Sequence, residues 1–515
     1  MSGLKIFVSS HKPCYEVKND VFVPARQSEI VANLLQGDAE DVFMAERADE
    51  YCELLTQYYA WKREDAQYYG FGHYRRYFDF SQRGRKCALI RAEYLNARTA
   101  AAFGFTDEKR IVGMAEQYDV IAPVPLNYYI KSVYWQYSNG EFLHSEDLDA
   151  VLDILKSDFP EYLPAAEKYL KGHYLYTCNL FVMKRELFFA YSEWLFAILK
   201  KFYAVRGMAG YSAAERRAPG HLGERLFGIW LTRLQEQGNY KIAHLPIVLF
   251  ENTSPLLPLS PAFSDGVPVF LRADGDGAAL SAVTLSSLIS HADAKRRYDI
   301  IVFGEKLNQE DKAKFSEMVQ GKGNFSLRFL DSRAYADEAG ALALSRGQRE
   351  AFAVVSLPEQ TREFESALVL GRCVLLRTDA AKLWDNSKES LPKQCAESVL
   401  ALDFHSLREE FGAQCCAAQE RAMRAEEFLH TLRATSNGQS GEMPAVCFDG
   451  AKVPWKCADC PYAAEFLAEA NKTSYAEQLR FYDKEGRKRE KKTLFDKLFP
   501  QGSRRRSAAK KLFRR

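Results

Sequence analysis

"TCNLFVMKRELFFAYSEWLFAILKKF", residues 177–202, runs from a short apolar strand straight into a long amphipathic helix. That junction decides the fold, because strands feeding directly into helices are the repeating unit of layered α/β proteins. The same grammar extends to both sides. "LKIFVSS" (4–10) is a strand leading into a polar loop at His11. "EDVFMAERADEYCELLTQYYAWKRE" carries apolar residues at helical spacing, with Leu54, Leu55, Tyr58, Tyr59 and Trp61 on or near one face. "QYYGFGHYRRYFDF" follows as a strand and its exit loop, and "YDVIAPVPL" (118–126) as a buried strand stopped by Pro123 and Pro125. Residues 146–171 read as helical, broken near Pro160; "GHLGERLFGIWLTRLQEQ" is a further helix, and "KIAHLPIVLFEN" closes the series near 252. Strands alternating with helices predict a mostly parallel sheet.

Bulk composition sets limits. At 515 residues the chain exceeds what one hydrophobic core holds, so two domains are expected. Apolar residues at 47% and charged residues at 27% are ordinary for a soluble globular protein. No run approaches the ~20 apolar residues needed to span a bilayer, and the opening "MSGLKIFVSSHKPCYE" lacks a secretory pattern. Eleven scattered cysteines, an odd number, fit a reducing cytosol better than a disulfide framework. The net charge of +2 hides an asymmetry: residues 484–515 hold 14 Lys or Arg against 3 Asp or Glu, leaving the other 483 residues at −9. A mildly acidic body argues against nucleic acid as a partner. The tail "GRKREKKTLFDKLFPQGSRRRSAAKKLFRR" alternates basic clusters with Leu-Phe pairs, the composition of a segment that lies on an anionic membrane surface; the bland alternative is a solvated tail.

"TSPLLPLSPAFSDG" (253–266), with three prolines, reads as a linker. A second α/β segment follows: "VPVFLRADGDG", helix "SAVTLSSLISHA", strand "YDIIVFG", helix "QEDKAKFSEMVQ" and strand "FSLRFLD". The expected organisation is 1–252, linker 253–266, second domain 267–480 and tail 481–515.

Two family resemblances sharpen this reading. "KIFVSSHK", "YCELLTQYYAWK", "YYGFGHYRRYFDF", "NLFVMKRELFFAYSEWLF" and "GERL" resemble the bacterial family catalogued as domain of unknown function 4422, over residues 4–252. That resemblance implies a glycosyltransferase of the GT-A, nucleotide-binding type, working on capsule or exopolysaccharide. Residues 267–480 look like glycosyltransferase family 8, on "AVTLSSLIS", "YDIIVFGEKLNQEDKAKF", "FSLRFLD", "CFDGAKVPWK" and "CPYAAEFLAEANKTSYAEQL". Where that family holds a metal, this chain departs from it. The metal-binding Asp-x-Asp falls on Gly371-Arg372-Cys373, the ligating histidine on Cys447, and a lysine of the family on Val453. A divalent cation needs hard oxygen ligands, and these residues offer none. The second half therefore reads as degenerate and catalytically silent, with Asp274 its main polar survivor. The implied fold class is α/β: two GT-A-like, Rossmann-like domains in tandem with mostly parallel sheets, plus a basic helical or disordered tail.

In an open α/β sheet ligands bind beyond the carboxyl ends of the strands. "YYGFG" delivers "HYRRYF" there, and period-2 alternation would point His73 and Arg75 one way and Tyr74 and Arg76 the other. Arginine presents a planar fork that matches phosphate and keeps its charge. Arg75 or Arg76, with His73, is thus expected to stabilise a departing diphosphate; the alternative is an arginine pair packed on aromatics. Ser9, Ser10, His11 and Lys12 follow the first strand, at the usual nucleotide corner, and Tyr74, Asp119 and Asn179 are further donor-pocket candidates. Glu224 in "GERL" resembles the acid that inverting GT-A enzymes place at a helix start as general base; the alternative is an ion pair with Arg225 or Arg217. His144, His173 and His221 are acceptor candidates. Asp147 and Asp149 in "EDLDAV" read as helix-start acids rather than metal ligands. No metal ligand is assigned, and a divalent cation (Mn or Mg) stays open as a cofactor. The pair Cys457 and Cys460, near Cys415, Cys416 and Cys447, reads as part of the family 8-like ending rather than a zinc site.

These observations converge on one expectation and one rival. The first is a hexosyltransferase moving a hexose, galactopyranose or galactofuranose among the candidates, from a UDP-sugar to a surface polysaccharide, capsule or lipopolysaccharide acceptor. It would be cytoplasmic and peripheral on the inner face of the membrane, held there by the tail, with a glycan or lipid-linked glycan as acceptor and no nucleic acid. The second half would dock acceptor, partner or membrane, or still transfer sugar without metal. The rival is a non-catalytic glycan-binding or scaffold protein of a polysaccharide assembly complex.

Overall fold

The computed structural model describes residues 3–81, 84, 87–387, 399–412, 418–434, 445–448, 453–454 and 460–479. The basic tail, and with it Cys415, Cys416 and Cys457, lies outside the described residues. The chain divides into two compact units, Met1–Leu256 and Leu257–Arg515, and the division falls inside the proline-bearing stretch.

The first unit is built on a nine-stranded sheet. Its strands are β1 (Leu4–Ser10), β2 (Phe22–Arg26), β3 (Tyr68–His73), β4 (Arg76–Phe78), β5 (Leu89–Tyr94) and β6 (Val120–Pro123), then, after the short β7 (Leu126–Asn127) and β8 (Tyr174–Leu175), which pair only with each other, β9 (Val182–Lys184), β10 (Ile242–Leu245) and β11 (Ile247–Asn252). The main path runs β2-β1-β3-β9-β6-β10, parallel except for β9, which is antiparallel to both its neighbours. The strand that opens the decisive stretch is thus the one inverted member of this path. Strand β4 folds back beside β3, and β11 and β5 continue from it. Alternation along β1 sends Phe7 into one core and Leu4, Ile6 and Val8 into another, so the sheet is covered on both faces. Tyr69 and Phe188 stack with centroids 4.3 Å apart in the first of these cores; each such fully buried side chain contributes about 1.5–3 kcal/mol.

The second unit has a five-stranded sheet ordered β14-β13-β12-β15-β17, from β12 (Val267–Arg272), β13 (Tyr298–Gly304), β14 (Phe325–Asp331), β15 (Ser366–Leu370) and β17 (Val399–Asp403). All run parallel except β17, antiparallel to β15. Between them β16 (Val374–Leu376) pairs with β18 (Ala445–Cys447), setting Cys447 opposite Val374 and beside Cys373. Both units are therefore α/β with parallel-rich sheets.

Three sequence readings change. The helix expected through residues 40–64 is three: Ala39–Glu46, Ala48–Tyr51 and Leu54–Arg63, broken at Cys52, whose φ is 52°. The break lifts Glu53 out of a helix face into a corner. "HYRRYF" is no simple exit loop: His73 pairs with Arg76 across a two-residue turn, so strict alternation of side chains ends at His73. Asp147 is no cap. It is fully buried and accepts from Arg206 Nε (3.1 Å) and the Tyr211 hydroxyl (2.7 Å), while Asp149 accepts from Tyr134. Gly70, within the aromatic strand, leaves room for the core rather than for a ligand, since a Cβ there would stand 2.7 Å from Ile6 Cγ1.

Candidate active site

Strands β1 and β3 end side by side. Their register sets Ser9 against His73, and Tyr74 N donates to Ser9 O at 2.9 Å. Both polar exits therefore open at one edge, the carboxyl edge of the parallel strands. Tyr74 is their shared surface: the His11 ring meets it edge-on at 5.1 Å, and Lys12 Nζ stands 5.4 Å from its centroid. Ser10 is buried and hydrogen-bonds the Cys14 thiol, so it packs rather than faces outward.

The tight turn separates the two arginines. Arg75 Nε donates to Phe250 O (3.1 Å) and Arg75 O accepts from Phe250 N (2.9 Å), which ties it to β11. The guanidinium of Arg76 makes no hydrogen bond or ion pair among the described residues. Its charge instead acts on His73, Glu53 and Cys178. Burial, with Arg76, His11, Arg75 and Arg217 adding to it, holds the His73 pKa down at about 3. The imidazole is therefore neutral near pH 7. Since Arg75 N donates to its Nδ1 (3.3 Å), the ring proton sits on Nε2, a donor.

Facing this edge is a carboxylate pair that the fold draws from distant segments. Glu53 comes from the helix break, and its Oε1 accepts from Asn179 Nδ2 at 2.9 Å. Burial raises its pKa, with the nearby Glu224 charge adding to the rise. Glu224, in the second turn of helix Ala218–Gln237, accepts from Cys178 N (2.6 Å) and from Arg225 Nη1 (2.7 Å). Arg225 is 2% exposed and also donates to Gln136, so Glu224 is held from behind. Cys178 and Asn179 both take positive φ, 74° and 48°, just before β9; two such residues in succession cost about 1–3 kcal/mol each. The strain turns Asn179 Nδ2 onto Glu53 and Gly220 O, and leaves its buried Oδ1 without a donor. Gly223 permits this approach, because a Cβ there would lie 2.8 Å from Leu54 Cδ1 and 3.2 Å from Asn179 Oδ1. Arg217 Nε donates to Cys52 Sγ (3.2 Å), and burial pushes the thiols of Cys52 and Cys178 up to about 11. His221 lies one helical turn before Glu224, its pKa lowered by burial.

The predicted residues thus sort by place. His11, Lys12, His73, Tyr74 and Arg76 share the strand ends, and Asn179, His221 and Glu224 join them through Glu53 and Arg217. Asp119 does not belong. It precedes β6 and is bonded to Lys184 (2.6 Å) and Lys241 N (2.7 Å); Lys184 lies opposite Tyr68, at the far end of β3 from His73. His144 pairs with Glu215 (3.0 Å) and His173 with Lys131 O (3.1 Å), and neither shares a hydrogen bond with Glu53, Asn179 or Glu224. Glu53 and Arg217 were missed because "YCELL" reads as uninterrupted helix and Arg217 as a spare partner for Glu224. No group of three or more His, Cys, Asp or Glu able to hold a metal occurs among the described residues.

In the second unit the metal position implied by family 8 is filled differently. Arg372 Nη1 stands 3.4 Å from Asp274 Oδ2, and Asp274 also accepts from Arg272 (3.0 Å). A guanidinium against the surviving acid does not fit a divalent cation there.

Residues 5–236 match the model of the family described as "Domain of unknown function (DUF4422)", the family the first half resembles in sequence. No curated protein matches the chain. Among solved structures the chain is similar to the WbbM bifunctional glycosyltransferase in its apo form, at 22% identity over 94% of this chain and 100% of that one, with a TM-score of 0.48. It is also similar to the galactosyltransferase LgtC in complex with donor and acceptor sugar analogues, at 16% identity over 42% and 100%, TM-score 0.29. Mouse xyloside xylosyltransferase 1 follows at 13% identity over 27% and 51%, TM-score 0.21.

Proposed function

We propose that the first unit is a glycosyltransferase that moves a hexose from a UDP-sugar to a glycan acceptor. The observation that carries this reading is the guanidinium of Arg76, without a hydrogen bond or ion pair among the described residues, whose charge acts on neutral His73 and on Glu53. Sugar transfer from a nucleoside diphosphate needs positive charge and hydrogen-bond donors where the leaving diphosphate develops charge. It also needs a base within reach of the acceptor hydroxyl. Arg76 and His73 Nε2–H supply the first, with the charges of Arg217, which acts on His73, and of Lys12, beside Tyr74, to add to it. The carboxylate pair supplies the second. Glu224 is held by two donors that fix its direction, while burial raises the pKa of Glu53. Asn179 Oδ1, buried and lacking a donor, is suited to accept from a sugar hydroxyl. The stacking face of Tyr74 with His11 suits the nucleotide base.

The acceptor on this reading is a surface polysaccharide, capsule or lipopolysaccharide chain, with galactose in either ring form as the sugar. The basic tail would hold the protein at the inner face of the cytoplasmic membrane. No helix among the described residues is long and apolar enough to cross a membrane, which leaves a surface contact as the means of attachment to test. The deciding experiment offers the full chain a panel of UDP-sugars and measures UDP release. Turnover that falls with Arg76→Ala and with Glu53→Gln or Glu224→Gln supports the reading. Neither turnover nor UDP binding with any donor would instead support a glycan-binding or scaffold role.

A further inference from the structure

Strand β6 runs parallel to β10 and, through the inverted β9, to β3, so the chain that leaves it emerges at the same sheet edge as His73. That stretch carries an apolar surface the proposed reaction leaves unused. Ile130 is 91% exposed and Tyr129 77%, the highest values for large apolar side chains among the described residues. Trp135 and Tyr174 are exposed beside them. Tyr174 sits opposite Asn127 in the β7–β8 pair, and Lys131 Nζ lies 3.7 Å from the Trp135 ring centroid. Tyr128 packs on the core instead and anchors the base of the loop.

The loop is held in shape by its own polar groups. Asn127 Oδ1 accepts from Tyr129 N (2.7 Å) and fixes Tyr129 at a φ of 58°, where few residues other than glycine sit. Ser132 Oγ accepts from Trp135 N (3.0 Å), and Asn139 Nδ2 donates to Trp135 O (3.0 Å). His173 Nδ1 meets Lys131 O at 3.1 Å. These polar side chains serve the loop's backbone, while the rings and Ile130 are left to the outside. Charge follows the same pattern. The body of the chain is at −9, yet residues 120–140 hold one charged side chain, Lys131, and neither they nor residues 172–183 include Asp or Glu. Asp149, which accepts from the Tyr134 hydroxyl at 2.8 Å, and Glu146 approach the stretch at Tyr134.

A sugar-binding face would turn its amides and acids toward hydroxyl groups. A bilayer interface instead takes Tyr and Trp rings at headgroup level, an aliphatic side chain below them and a lysine whose head reaches lipid phosphate. From this arrangement we infer that the loop over residues 128–135 is a membrane contact. Ile130 and Tyr129 enter the headgroup–acyl boundary of an anionic bilayer, Trp135 and Tyr174 lie at headgroup level, and Lys131 meets phosphate. One contact of this size gives reversible binding, and stable attachment takes a second signal, so the loop's work is to orient the first unit. Helix Val133–Ser138 carries that orientation to the site. Its Gln136 accepts from Arg225, whose guanidinium lies 5.0 Å from the Tyr137 centroid and donates to Glu224. The inference depends neither on the basic tail nor on sugar transfer.

Vesicles of phosphatidylglycerol and phosphatidylcholine, with and without brominated acyl chains that quench tryptophan at the acyl boundary, test it on the full chain. Wild type should be quenched, and Trp135→Phe should lose much of that quenching. Ile130→Glu should weaken vesicle binding by roughly tenfold, through one lost apolar side chain and one added like charge, without moving the thermal midpoint. Val205→Glu, at another exposed apolar position of the first unit, makes the same charge change and should leave binding nearly unaltered. UDP-sugar turnover measured without vesicles should be equal in wild type and Ile130→Glu. Absence of turnover in both would count against the transferase reading while the vesicle result still decides this one. No vesicle binding, equal quenching in Trp135→Phe, or equal loss in the two Glu variants would overturn the proposal. So would a soluble oligogalactoside, rather than vesicles, protecting residues 127–136 from hydrogen exchange, which would make the loop a glycan surface. A wild-type dimer that Ile130→Glu dissociates would overturn it in favour of an interface between copies.

Discussion

At the scale of single residues the turn after β3 gives neighbouring arginines opposite work. Arg75 spends its Nε on Phe250 O, a backbone tie between strands, while the Arg76 guanidinium makes no hydrogen bond or ion pair among the described residues, which on the proposed reading leaves its fork to a ligand. Arg75→Ala should therefore cost stability, about 0.5–1.5 kcal/mol for one hydrogen bond, seen as a lower urea midpoint with UDP-sugar turnover nearly intact. Arg76→Ala should leave the midpoint alone and lower kcat/KM by roughly 10²–10³, the loss typical of one transition-state donor. If the two variants exchange these phenotypes, the assignment is reversed. His73 adds a pH signature. Its folded pKa of about 3 lies below the ordinary value near 6.5, so the unfolded chain takes up a proton first as pH falls. The folded state is thus most favoured above pH ~6.5 and loses stability toward pH ~3, at no more than about 1.4 kcal/mol per pH unit. His73→Gln should flatten that slope in urea melts between pH 7 and 4.5. Glu53 acts in the opposite sense, since its raised pKa favours the folded state at low pH, which is why the comparison is made between wild type and the His73 variant at each pH.

At the scale of elements the site depends on how closely helix Ala218–Gln237 sits against the corner at Cys52–Glu53. Gly223 sets that distance. Gly223→Ala would push a methyl group to 2.8 Å from Leu54 Cδ1 and 3.2 Å from Asn179 Oδ1. The helix must move or Asn179 must turn, at about 1–3 kcal/mol. Turnover should fall more than stability, with KM for the acceptor rising, because the Glu53–Asn179 bond is what the methyl displaces. A melting shift with normal turnover would show that the corner is only packing. The same elements show what the sequence could and could not disclose. Periodicity located the strand and helix at 182–206, the break near Pro160 and the helix holding Glu224, because apolar spacing reports burial directly. It missed the break at Cys52, since "DEYCELLTQ" holds no glycine or proline to mark one and the positive φ falls on a cysteine. It missed the β3–β4 turn for a related reason: "HYRR" holds no glycine or asparagine to mark one. Asp119 precedes its strand, and because β6 runs parallel to β10 and, through the inverted β9, to β3, that start lies at the amino edge, away from His73. Glu53 lies inside a quoted motif, "YCELLTQYYAWK", but its place in the site became visible only when three segments met.

At the scale of the whole molecule the chain combines two α/β units of one general plan with a tail of opposite charge. In the first unit the Arg76 guanidinium has no hydrogen bond or ion pair among the described residues; in the second, arginines pair with the acids that survive at the strand ends. A transferase building a glycan on a lipid gains by staying where the lipid is, and the body, at −9, would be repelled by an anionic membrane. The tail, with 14 Lys or Arg against 3 Asp or Glu, would reverse that repulsion locally. Each basic residue adds about 1 kcal/mol near such a surface, and the interleaved Leu-Phe pairs add apolar contact that salt does not screen. Two consequences can be measured together. Deleting 484–515 should move the protein from the membrane to the soluble fraction while leaving UDP-sugar turnover on a water-soluble acceptor unchanged. High salt should release the intact chain only partly from vesicles of phosphatidylglycerol, because the Leu-Phe contacts persist when the charges are screened. Complete release by salt would assign the attachment to charge alone, and a truncated chain that stays with the membrane would place the anchor in the body of the protein.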